Sequence, residues 1–141
     1  MNLKNIVALG LARDVNEFVD MPNGIILNVG AGNKLIANSI PLDWPLWDAD
    51  KDIIPYEDNS ISGVHCYHFL EHVSDPVKVL QEFQRVLCDG GVLNIVVPYY
   101  RSQMNYHDLD HKKSFCEETW RVLFSNPYYN KNRIDWKFEI N

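Results

Sequence analysis

The chain has 141 residues, 46% of them hydrophobic and 23% charged, with a formal net charge of −6. That length suits one domain, residues 1–141, with a core of its own, and no apolar run approaches the length of a membrane span. The acidic balance without a basic stripe disfavours nucleic acid as a partner. Cys66, Cys88 and Cys116, with no paired spacing, point to reduced thiols and a cytoplasmic setting.

Leu3, Val7, Leu11, Val15 and Phe18 recur at helical spacing, so a helix is predicted from Leu3 to Val19. Met21-Pro22-Asn23-Gly24 stops it with both common breakers. The opening patch carries early charges and no small-residue cleavage site, which argues against secretion. IILNVGAG, Ile25 to Gly32, follows as an apolar strand that breaks into a glycine pair. Gly30 and Gly32 let a backbone turn tightly and approach a ligand. A second strand, Ser39 to Leu42, ends in Asp43. A glycine turn after one strand and a carboxylate after the next is how an open α/β sheet holds a nucleoside. The third glycine of the dinucleotide fingerprint is missing, since Leu35 stands there, and Asp43 comes early. Both features weaken a NAD or FAD reading.

The segment Trp44 to Ser60 holds five acidic residues and two tryptophans and reads as a surface excursion, with a short strand from Leu46 to Ala49. Ile61 to Tyr67 is the next strand, running into HFLEH. Ser74-Asp75-Pro76 starts a helix whose buried face is Val77, Leu80, Phe83 and Leu87, and Asp89-Gly90-Gly91 ends it. Val92 to Val97 is the most strand-like run, closed by Pro98. Tyr99 to Ser114 is polar and irregular. Ser114 or Cys116 opens a helix to about Phe124, with Glu117 and Glu118 in its first turn. Ile134 to Ile140 alternates apolar and polar residues, as at a sheet edge. Strand–helix–strand order calls for parallel pairing and right-handed crossovers.

Taken in order, ILNVGAG, PLDWPLWDAD and IPYEDNS through HFLEH to RVLCDGGVL resemble a class I S-adenosylmethionine-dependent methyltransferase of the small methyltransferase-11-like group, over about Ile25 to Phe124. The resemblance implies a Rossmann-like three-layer α/β sandwich with a mostly parallel sheet, the class I methyltransferase fold in reduced form. The full fold has seven strands and this chain offers about six, so it reads as C-terminally truncated. The implied cofactor is S-adenosyl-L-methionine. Gly30, Ala31 and Gly32 would lie against its methionyl and ribose part. Asp43 would bind the ribose hydroxyls, and Asp50 matches the family's carboxylate near the adenine amino group. Tyr67, His68 and Phe69 would line the sulfonium side, and aromatic faces suit that cation. Glu71 and His72 match a Glu-His pair that is usually structural.

Methyl transfer needs alignment and exclusion of water more than covalent help. Tyr99 to Lys112 follows the fifth strand at the carboxyl edge, where ligands bind in such sheets. His107 or His68 is the candidate general base, against the reading that each only orients its loop. Tyr99, Tyr100, Arg101 and His111 are candidate acceptor-binding residues, Arg101 for a carboxylate or phosphate. Trp44 and Trp47 either stack on a ligand or pack over the sheet edge. Two histidine pairs, His68/His72 and His107/His111, have the spacing of a shared metal. HFLEH, however, lacks the zinc-protease order and His107 to His111 is not a confident helix, so the expectation is no metal. The expected activity is methyl transfer to a small-molecule or medium-sized acceptor. The alternative is a noncatalytic domain that binds the cofactor or a partner chain. An uncovered sheet edge near Trp136 and Phe138 predicts a homo-oligomer.

Overall fold

The computed structural model describes residues 4–9, 20–125 and 136–140. Among the described residues six strands form one sheet: β1 (Lys4–Leu9), β2 (Ile26–Val29), β3 (Ile40–Leu42), β4 (Ile61–Tyr67), β5 (Leu87–Val96) and β6 (Trp136–Ile140). Their order is β3-β2-β4-β5-β1-β6, and every pairing is parallel. The described residues also hold two α-helices, α1 (Pro76–Val86) and α2 (Glu117–Ser125). This parallel sheet with flanking helices is consistent with the reduced Rossmann-like class I methyltransferase fold that the sequence implies.

Register explains why the sheet lies where it does. Leu27, Val64 and Leu93 stand side by side, as do Val29, Cys66 and Ile95. These six are buried and form the apolar face onto which Val79, Leu80, Phe83 and Val86 of α1 pack. The opposite face carries Asn28, His65 and Asn94 in register, all buried. There Tyr67 Oη lies 2.7 Å from His65 Nδ1. Burial lowers the His65 pKa and pushes the Tyr67 hydroxyl above its ordinary range. A neutral imidazole therefore meets a protonated phenol.

Asp75 caps α1 by accepting from the Lys78 N–H at 3.2 Å, with Pro76 at the first helical position. The helix stops at Val86, earlier than the glycines at 90–91 predict, because Leu87 is already extended and starts β5. Register runs from Ile61–Leu87 to Gly63–Val92, so residues 88–91 bulge opposite Ser62, and Gly90 sits there at φ +74°. Cys116 opens α2: its N–H donates to Thr119 Oγ1 at 3.1 Å and its carbonyl accepts from the Thr119 N–H at 3.1 Å.

Two further expectations are corrected. The predicted N-terminal helix is strand β1 over Lys4–Leu9, paired with β5 and β6; the rest of that prediction, 10–19, lies outside the described residues. Ile6 to Leu9 is a continuous apolar run, and such a run suits a strand between two others as well as one turn of a helix stripe. No strand forms at Leu46 to Ala49. The Leu46 and Trp47 N–H groups both donate to the Asp43 carbonyl, at 3.0 and 3.1 Å, and the Lys51 and Asp52 N–H groups to that of Asp48. The backbone donors are thus spent on local turns. Strand β6 ends the sheet at one side and β3 at the other. Among the described residues no helix is long and apolar enough to cross a membrane.

Candidate functional site

From β2 the chain passes outward to β3 and then returns to β4 on the other side of β2. The reversal makes a switch point beyond the carboxyl ends of β2 and β4, where such sheets bind ligands. The Gly30–Gly32 turn follows β2 and the His68–Phe69 corner follows β4, so both meet there.

The two glycines differ. Gly30 has φ +68°, and a Cβ added there would stand 2.3 Å from a ring carbon of Phe69. Its N–H donates to the Leu42 carbonyl at 2.9 Å. Gly30 is therefore closed over by Phe69, whose ring leans on Trp47 at 6.0 Å between centroids. Gly32 has φ +49°, and a Cβ there would meet nothing within 4 Å. Ala31 between them is buried. The Gly32 N–H donates to Asp43 Oδ2 at 2.7 Å, and the Trp44 N–H to Oδ1 at 2.8 Å. Each oxygen keeps a further lone pair. The Asp43 carboxylate thus ties the glycine turn to the strand beside it and still has acceptor capacity. Trp44 is exposed on this rim, while Trp47 is buried and donates from Nε1 to the Ile53 carbonyl at 3.1 Å.

Asp50 is engaged elsewhere. Its carboxylate accepts from the Ser74 N–H at 2.8 Å and the Ser74 hydroxyl at 2.9 Å, and Lys112 Nζ lies 3.6 Å away. The Ser74 N–H bond leads in holding its pKa below the usual carboxylate value, with Lys112 assisting. Tyr67 likewise turns its hydroxyl to His65.

Past β4 the chain makes a tight corner. His68 adopts φ +50°, and its N–H donates to the Val96 carbonyl at 2.7 Å. A single 3-10 turn, Leu70–His72, follows. The apolar flanks Leu70 and Val73 are buried, and they carry Glu71 inward with them to zero exposure. The loop after β5 folds back onto this turn through the Lys112 N–H, which donates to the Glu71 carbonyl at 2.7 Å. His111 thereby comes against His72, ring centroids 4.7 Å apart, and His107 stands 6.0 Å beyond His111. The two candidate bases, His68 and His107, are thus the ends of one string that runs through Glu71, His72 and His111. His107 is exposed, with Nδ1 3.3 Å from the Gln103 carbonyl oxygen.

The remaining acceptor-side candidates form a separate group. Tyr99 and Tyr100 meet edge to face at 4.8 Å, and the Arg101 guanidinium lies 5.5 Å over the Tyr100 ring. Tyr99 bridges to Phe115, which anchors this end of the loop beside α2. Sequence reasoning overlooked Ser74 and Lys112 as partners of Asp50, and Glu71 as a buried carboxylate. The Leu-Glu-His-Val pattern was the available signal: one acid between two apolar residues on a single turn.

Comparison with known proteins bears on the domain as a whole. Residues 27–95 match a family model described as a methyltransferase domain. The matched span runs from β2 through β5, and so contains the glycine turn, Asp43 and the corner after β4. A protein of Streptomyces fradiae described as an uncharacterized 37.1 kDa protein in transposon TN4556 is 32% identical over 78 residues, covering 55% of this chain. The aligned part is 23% of that protein's length. No solved structure matches.

Proposed function

We propose that this chain binds S-adenosyl-L-methionine at the switch point and transfers its methyl group to a small or medium-sized acceptor. The observation that carries the reading is the open side of Gly32, tied to Asp43. A backbone turn at positive φ with nothing where a Cβ would stand leaves room for a close ligand. Asp43 beside it has lone pairs to receive ribose hydroxyls. The bound cofactor would supply an electrophilic methyl on a sulfonium.

The remaining work belongs to the chain. Phe69 and the rim indole of Trp44 offer aromatic faces that exclude water and suit a cation. The Tyr99–Tyr100–Arg101 group offers a charged, aromatic seat for an acceptor. His68 or His107 takes the proton where the acceptor atom carries one.

Calorimetric titration with S-adenosylhomocysteine tests binding, and a radiolabelled methyl-donor assay on fractionated cell extract tests turnover. Saturable one-site binding weakened by Asp43→Ala supports the first step. Absence of heat at millimolar ligand refutes it. Firm binding without transfer to any fraction, partners included, assigns the chain to the noncatalytic alternative.

A further inference from the structure

We infer that Glu71, His72 and His111 form a binding site for a first-row divalent transition cation of the zinc type. Glu71 is fully buried, and neither of its carboxylate oxygens has a hydrogen-bond partner among the described residues. Its Oε1 lies 3.6 Å from His68 Nδ1, 4.0 Å from His72 Nε2 and 4.0 Å from His111 Nε2. These separations are too long for hydrogen bonds. A carboxylate withdrawn from water and left without partners is costly, and it is retained where a cation meets it.

The tautomer of His111 sharpens the point. Its Nδ1 lies 3.2 Å from the Asn105 carbonyl oxygen, which can only accept, so Nδ1 carries the proton. In the neutral ring the Nε2 lone pair then faces Glu71 Oε1 at 4.0 Å and Asp108 Oδ2 at 3.9 Å. Acceptor faces acceptor on both sides. An imidazole that donates from one nitrogen to a backbone carbonyl and presents the other toward carboxylates is the arrangement of a metal-ligating histidine.

The donor atoms also converge. Donor atoms of Glu71, His72 and His111 all lie within 4.8 Å of one another. Bonds of about 2.1 Å place ligand atoms about 3.4 Å apart at the tetrahedral angle and about 3.8 Å apart at a wider 130°. The two nitrogen-to-carboxylate separations of 4.0 Å need an inward adjustment of a few tenths of an ångström, and a pair at the 4.8 Å limit needs about 1 Å, within reach of a side-chain rotation. Two imidazoles and a carboxylate select zinc, iron, cobalt or nickel over magnesium or calcium. Asp108 is placed to add an oxygen, and the exposed third of the His68 and His72 side chains leaves a route from solvent. The ion would pin the loop after β5 to the corner after β4, the same two segments joined by the Lys112–Glu71 backbone bond.

The test uses the full chain stripped with chelator and titrated with zinc chloride, followed by calorimetry and thermal unfolding, then with cobalt followed by visible absorption. One equivalent of zinc should bind, raise the unfolding temperature and be released by chelator. His72→Ala and His111→Ala should each weaken binding at least tenfold, while Cys116→Ser should not. His72 is partly exposed, so its variant folds even where Glu71→Gln does not. Absence of saturable binding below millimolar zinc overturns the site. Undiminished affinity in both histidine variants overturns it too, as does equal affinity for magnesium. None of these readouts involves the methyl donor, so the site and the methyl-transfer reading fail independently.

Discussion

Replacing each glycine of the turn by alanine separates a glycine required for packing from one required for ligand approach. At Gly30 the new methyl would stand 2.3, 2.5 and 2.7 Å from three carbons of Phe69, at φ +68°. The left-handed backbone costs a non-glycine residue about 1–2 kcal/mol. Overpacking against an aromatic ring that itself leans on buried Trp47 adds about 1–3 kcal/mol. The sum, about 2–5 kcal/mol, corresponds to a fall in Tm of about 3 °C per kcal/mol for a domain of this size. At Gly32 only the backbone cost of about 1–2 kcal/mol applies, because nothing lies within 4 Å. There the methyl instead enters the space assigned to the cofactor, and affinity for S-adenosylhomocysteine should drop at least tenfold, or about 1.4 kcal/mol. Thermal unfolding and calorimetry on the two variants give both numbers. Gly30→Ala as stable as the parent would refute the packing argument, and Gly32→Ala binding as tightly as the parent would refute the location of the ligand.

Three further outcomes are expected. Asp43→Asn should retain the fold and lose part of its cofactor affinity, since a charged acceptor contributes roughly 1.5–3 kcal/mol and the amide keeps one acceptor oxygen; unchanged affinity by calorimetry would count against the ribose role. Phe83→Ala removes a fully buried ring from the face α1 turns to the sheet and should cost about 3–5 kcal/mol in denaturant unfolding. Arg85 holds Glu82 by two bonds of 2.9 and 2.8 Å and also donates to the Ile54 and Tyr56 carbonyls and to Asp58, clamping the acidic loop to α1. The Arg85 hydrogen bonds lower the Glu82 pKa below its unfolded value. Below both values the clamp's contribution is gone; it is fully present above the unfolded value of roughly 4.3 and is lost as pH falls through the folded one. Arg85→Met should therefore lower Tm at pH 7 and flatten its fall between pH 5 and 3, and an identical pH slope in both proteins would contradict the linkage.

What could be read in the sequence follows from how local each signal is. β2, β4 and α1 were legible because their residues have one fate: Leu27, Val29, Val64 and Cys66 are buried on the same face, and the Asp75–Pro76 start needs only its own turn. β1 was not, because whether Ile6 to Leu9 is helix or strand depends on β5 lying beside it. The glycine turn and Asp43 were legible as a pair, since their distance along the chain already implies adjacent strand ends. Their division of labour was not: only the position of the Phe69 ring decides that Gly30 is closed and Gly32 open. Histidine spacing suggested a metal pair, His68/His72 and His107/His111, on each of two segments, and the sequence reading was no metal, because HFLEH lacks the zinc-protease order and His107 to His111 is not a confident helix. The corner after β4 is a single 3-10 turn, and the loop after β5 reaches it through one backbone bond from Lys112 to the Glu71 carbonyl. That fold-back converts two unpromising pairs into one histidine from each segment around a buried carboxylate. The acid was visible throughout as an ordinary Glu-His motif; its burial follows from Leu70 and Val73 on either side, and its lack of partners is a property of the tertiary arrangement alone.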